Sequence, residues 1–300
     1  MKKLVAFLFF VGLYQMSFGH PAGSLIEFNN KIVWSYVNPV GDLDHHACIM
    51  VWDKKTEPRV YITSKFAGSD YLLYANDDEM YVIERRHNHS TDKAEFRVLK
   101  TDLIGEPQEL WPWQENNHRI GDAGFYMQDD NEIIFSKYPS VYRMKKGVSP
   151  DRIGVPIENV GRIRKVNDGL LILSDNDCYL MDEGNHMVLR QWNNIDKEVE
   201  NAPLNRNMIY DFDLSERGLI VAYWGGREFL LMTENKKETI KKMKGNFVPH
   251  WVLASENECF LFSSLLDFDQ PIIDNKSTIQ PLLLRYNFKE FNTIWNADIK

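Results

Sequence analysis

The densest chemistry in the chain lies in one short stretch, where Asp42, Asp44, His45 and His46 fall within five positions. Two carboxylates and two imidazoles this close together could hold a divalent cation, or supply a general base with its orienting acid. A divalent metal is the one cofactor that the residue types suggest. The spacing matches no recognised metal motif. Adjacent residues on a strand also point to opposite faces, so at most one of the two imidazoles can face a shared site. A polar loop leading into the strand HACIMVW accounts for the same residues more simply.

Other chemistry is thinner. Arg86, His87 and His89 precede Ser90-Thr91-Asp92-Lys93, a polar run typical of an exposed loop. Asn88-His89-Ser90 and Asn275-Lys276-Ser277 match the N-glycosylation acceptor pattern, which has meaning only in a eukaryotic secretory pathway. There is no GxSxG elbow and no HExxH, and Gly225-Gly226 lacks the strand-to-helix context of a phosphate loop. The three cysteines, Cys48, Cys178 and Cys259, allow at most one intramolecular disulfide, so the fold is not a disulfide scaffold. Each sits in or beside an apolar strand, where a thiol behaves as a small hydrophobe.

Any such site must be positioned by the elements around it, and these repeat. An apolar strand, a tight polar turn and a second apolar strand recur six times, with turns near Asn29, Asp77, Asp130, Asp168, Arg217 and Glu256. Asn, Asp and Gly between β-rich runs are hairpin signals, because these residues tolerate positive φ. The spacing is roughly 40–50 residues, the length of a propeller blade. Two further strand candidates follow each hairpin, among them HACIMVW and PRVYIT in the first unit and the weak RIGVPI in the third. Six units of four strands predict an all-β fold, a six-bladed β-propeller of four antiparallel strands per blade. A two-sheet sandwich has no repeat of this length, and outer-membrane strands are longer, at about 9–11 residues.

On this repeat the chain resembles the six-bladed β-propeller class, and loosely the TolB-like propellers of the bacterial envelope. The likeness rests on repeat geometry and carries no diagnostic motif. It implies a fold and not an activity, since one superfold hosts many unrelated functions.

In a propeller of this phase, the entries to the innermost strands and the loops joining second to third strands line the mouth of the central funnel. That register nominates Asp44, His45, His46, Asp70, Asp122, Arg162, Asp211, Trp224 and His250 as ligand-binding residues. Most other tryptophans (Trp34, Trp52, Trp111, Trp192, Trp251) occupy strand positions suited to packing between blades. The first functional expectation is a non-catalytic module binding a protein, peptide or glycan at the mouth. The second is a metal-assisted hydrolase or lyase using the Asp and His residues there.

The N-terminus bears on where this takes place. Met1-Lys2-Lys3, the apolar run Leu4–Leu13 and the small residues Ser17 and Gly19 read as a signal peptide over 1–19, leaving one domain over 20–300. The apolar run is too short for a bilayer span, and no later segment could span one. The chain is therefore expected to be exported, periplasmic or secreted, and monomeric. Its formal charge of −8 argues against nucleic-acid partners, which require a basic face.

Overall fold

The structure is a computed structural model. It describes residues 23–37, 46–167, 169–195, 199, 202, 208–265 and 280–296. The expected signal peptide, Asp42, Asp44, His45 and the sequon at Asn275 lie outside these residues.

Twenty-four strands form six sheets, each made of four consecutive antiparallel strands. Blade one holds β1 (Leu25–Phe28), β2 (Lys31–Val37), β3 (His46–Trp52) and β4 (Arg59–Ala67). Blade two holds β5 (Asp70–Ala75), β6 (Met80–Asn88), β7 (Lys93–Thr101) and β8 (Gln108–Glu115). Blade three holds β9 (Phe125–Asp129), β10 (Glu132–Lys137), β11 (Ser140–Lys145) and β12 (Asp151–Ile153). Blade four holds β13 (Val160–Val166), β14 (Gly169–Ser174), β15 (Asp177–Met181) and β16 (Val188–Trp192). Blade five holds β17 (Ile209–Ser215), β18 (Gly218–Tyr223), β19 (Glu228–Met232) and β20 (Lys237–Lys242). Blade six holds β21 (Phe247–Ala254), β22 (Cys259–Leu265), β23 (Gln280–Tyr286) and β24 (Phe291–Asn296). Among the described residues there is no helix.

The fold follows from the two-residue period of the second strand in each blade. Successive side chains point to opposite faces, so each strand feeds two interfaces at once. In β2, Ile32, Trp34 and Tyr36 pack against blade six, while Val33 packs against blade two. In β18, Leu219, Val221 and Tyr223 face blade four, and Ile220 and Ala222 face blade six. Each of the six blade-to-blade contacts thus has its own apolar cluster, and blade six closes the ring against blade one. A sheet buried on both faces reads as a near-continuous apolar run, which is what IVW, YVI and LIVA are.

The three cysteines are buried and free, one each in blades one, four and six. Burial pushes the Cys48 and Cys259 thiols up to about 12, so they pack as hydrophobes.

Candidate functional site

The first strand of every blade lies innermost, and these six strands surround a central channel of about 740 Å³. Its wall includes Leu25, Tyr74, Phe125, Arg164, Asp213 and Leu253, one residue from each blade. Innermost strands expose an edge, and unpaired edge N–H groups are costly when buried. Neighbouring blades satisfy several of them. Ser24 Oγ accepts from the Leu73 amide (2.9 Å) and the Ala123 carbonyl from the Ile163 amide (2.9 Å). Asp211 Oδ2 accepts from the Val252 amide (3.1 Å) and Asp213 Oδ2 from the Ala254 amide (2.8 Å).

Gly124 makes one of these close approaches possible. Its φ is +92°, and a Cβ there would sit 1.9 Å from the Ile163 carbonyl oxygen. Only glycine meets both demands. The preceding loop, which carries Asp122, is thereby held against β13.

At the mouth, Arg85 of β6 bridges two blades. Its guanidinium donates to Asp70 Oδ2 (3.0 Å) and to Asp122 Oδ1. Arg162 donates to the backbone carbonyl of Asp122 (3.1 Å) and lies over the Tyr210 ring, 5.8 Å from its centroid. Burial raises the Asp70 carboxyl above the usual carboxylate range, with the Arg85 charge opposing the shift.

Deeper in the channel, Arg164 donates to Asp211 Oδ2 and Asp213 Oδ2, each at 3.0 Å, and to the Leu25 carbonyl at 3.4 Å. One guanidinium faces two carboxylates, so the trio carries one surplus negative charge. Burial raises the Asp213 carboxyl, and the neighbouring Asp211 charge adds to the rise. Arg164 and the Ala254 and Leu214 amides oppose it.

The nominated residues therefore fall into four groups. Asp70, Asp122 and Arg162 are brought together by Arg85 at the mouth. Asp211 lies below them in the ion network of the channel. Trp224 and His250 are 1% and 0% exposed and stand behind the wall rather than on it. Trp224 stacks on Tyr210 (5.5 Å, 21°), and His250 meets both rings edge-on while sharing a 2.6 Å hydrogen bond with Ser264. They support the ring beneath Arg162. His46 opens β3, two strands out from the channel, paired with Ala67, and Asp44 and His45 lie outside the described residues.

Arg85, Arg164, Asp213 and Tyr210 were not nominated. A signal for two of them stands in the chain: Arg162-Ile163-Arg164 and Asp211-Phe212-Asp213 occupy equivalent positions of successive repeats. Alternation puts both arginines on one side of β13 and both aspartates on one side of β17, so the two strands are complementary in charge.

Chemically the channel offers fixed donors and acceptors. The lone pairs of Asp211 and Asp213 point at Arg164 and at backbone amides. Among the described residues no group of three His, Cys, Asp or Glu side chains is arranged to hold a metal ion.

No family model matches the chain, and no curated protein matches it. It is similar to several solved propeller-containing structures at low identity. A catalytically inactive virginiamycin B lyase from Staphylococcus aureus with quinupristin shares 11% identity over 91% of this chain and 95% of that one, with a TM-score of 0.47. The β-propeller domain of the Trilobed protease from Pyrococcus furiosus shares 9% over 92% and 97%, with a TM-score of 0.47. The RS223 β-xylosidase shares 12% over 89% and 92%, with a TM-score of 0.40. At these scores no activity transfers, and the propeller assignment stands on the strand pairing itself.

Proposed function

We propose that this chain is an exported, non-catalytic binding protein that captures a protein, peptide or glycan partner at the mouth of its central channel. The observation that carries the reading is the Asp70–Arg85–Asp122 bridge with Arg162 beside it. Charged groups locked to one another on rigid strands lose little freedom when a ligand arrives, and such preorganisation favours binding. The channel volume also falls within the roughly 300–1,000 Å³ typical of ligand sites.

In the alternative, a metal-assisted hydrolase or lyase, Asp44, His45 or His46, Asp122, Asp211 and His250 would share ligand and base roles. Of these, Asp122 and Asp211 are engaged by arginines and His250 is enclosed by aromatic rings, which favours the binding reading, while Asp44 and His45 lie outside the described residues. Export rests on the N-terminal pattern alone.

The test is native mass spectrometry of protein purified from the organism that makes it, with Arg162→Met as comparison. The wild type is expected to retain a species that the variant loses while melting at the same temperature. Equal retention by both would remove the mouth as the site. N-terminal sequencing should find the mature chain starting near residue 20, and an intact Met1 in the exported fraction would overturn signal-peptide cleavage.

A further inference from the structure

The geometry points to a neutral, hydroxyl-rich saccharide as the occupant of the channel mouth, recognised by the Asp122 carboxylate and the Arg162 guanidinium acting together. This rests on the binding reading above and narrows it to one ligand class.

The two groups are an acceptor and a donor set carried by residues that are joined through the Asp122 backbone carbonyl. Asp122 is 46% exposed at its side chain, and its Oδ1 is engaged by Arg85. No hydrogen bond to its Oδ2 occurs among the described residues. Arg162 spends one N–H on the backbone carbonyl of that same residue, which ties its guanidinium to the Asp122 main chain while it makes no ion pair with the carboxylate. A guanidinium has five N–H donors. Its others meet no protein acceptor among the described residues, and it enters no ion pair there.

Charge argues for a neutral ligand. Among the described residues, Asp70, Arg85, Asp122 and Arg162 contribute two negative and two positive charges, so this cluster itself has no surplus with which to hold a strongly charged group. The demand is instead for a partner that both accepts from a guanidinium and donates to a carboxylate over a short span. Neighbouring hydroxyls on a sugar ring do this, because each hydroxyl donates one hydrogen bond and accepts others. Hydrogen bonds to ionised partners are also the stronger kind.

A peptide fits less well as an added strand along the wall, since the Leu73, Ile163, Val252 and Ala254 amides are already bonded.

The experiment is calorimetric titration of the mature protein with three sets of probes. These are neutral hexasaccharides of glucose, xylose, mannose and N-acetylglucosamine, a hexamer of galacturonic acid, and a set of acidic, basic and neutral decapeptides. At least one neutral hexasaccharide is expected to bind. Asp122→Asn, which keeps the shape but replaces an acceptor by a donor, should weaken it about tenfold or more. Arg162→Lys, which keeps the charge but loses the planar fork, should do the same. Both variants should melt as the wild type does. Binding by no probe, or by the galacturonate hexamer alone, overturns the inference. A peptide that binds and is lost in Arg162→Lys overturns it while sustaining capture at the mouth. Saccharide binding undiminished in both variants defeats both readings.

Discussion

Arg164 of blade four donates to the backbone carbonyl of Leu25 in blade one, 3.4 Å away on the opposite side of the ring. The same guanidinium is clamped by Asp211 and Asp213 of blade five. Three blades thus meet at one side chain. Both carboxylates extend the connection to blade six through the Val252 and Ala254 amides. The network braces the floor below the mouth, so groups above it stand on a fixed base.

Arg164→Met should destabilise the fold by about 3–5 kcal/mol, because removing one partner strands the two buried carboxylates without their counter-charge. Replacing the whole trio, as Arg164→Met with Asp211→Asn and Asp213→Asn, should recover more than half of that loss. Urea unfolding of the three proteins provides the measurement. A loss below about 1 kcal/mol for the single variant would show that Arg164 braces nothing.

The same trio sets a pH dependence whose sign can be worked out. Burial raises the folded-state carboxyl of Asp213 above its unfolded value, near 4. Between those two values the folded chain binds more protons than the unfolded one. The stability contributed by this group is therefore complete below about pH 4 and is lost as pH rises through the folded value. Asp213→Asn carries no such titration. Its penalty relative to wild type should be smaller at pH 7 than at pH 4, read from paired denaturation curves. A penalty that grows with pH would mean that Arg164 holds the carboxyl below its ordinary range instead.

The chain displays its blades plainly because each hairpin announces itself locally. Asn29 and Asn30 take φ of 50° and 59°, the two positive values of the tight hairpin turn that Asn favours. RIGVPI shows the limit of reading by composition. Its pairing stops at Ile153, since Gly154 and then Pro156, which lacks an N–H, cannot extend the ladder. Ile157 still packs between blades three and four, so its apolar character is met without a strand. The site is less legible. Asp70 and Asp122 can be placed by register, and Arg85 is the cross-strand partner of Asp70 in the β5–β6 hairpin. What composition does not show is that its guanidinium also reaches Asp122, 37 residues on, which requires blade three to pack against blade two. Trp224 misleads in the opposite way. It sits in a loop, yet Tyr210 and His250 cover it so fully that it lines nothing.

Ring closure itself gives the last prediction. Blades one and six share no strand, and among the described residues side chains join the two ends of the ring. Trp295 of β24 lies 5.4 Å from the Trp34 ring and 5.5 Å from Tyr36, and Trp52 meets Phe260 edge-on at 6.2 Å. Across the seam Lys54 of blade one pairs with Glu258 of blade six at 3.9 Å, and Ser255 of blade six donates to the Glu27 carboxylate of blade one. Trp34→Ala should cost about 3–5 kcal/mol, as should Trp111→Ala, whose ring is equally buried between blades two and three. The two should differ in where the protein loosens. With no strand crossing the seam, Trp34→Ala should raise amide exchange first in β1, β2, β23 and β24, by opening that contact alone. Trp111→Ala should leave those four strands no faster than the rest of the ring. Equal exchange profiles for the two variants would show that the seam is no weaker than any other contact between blades.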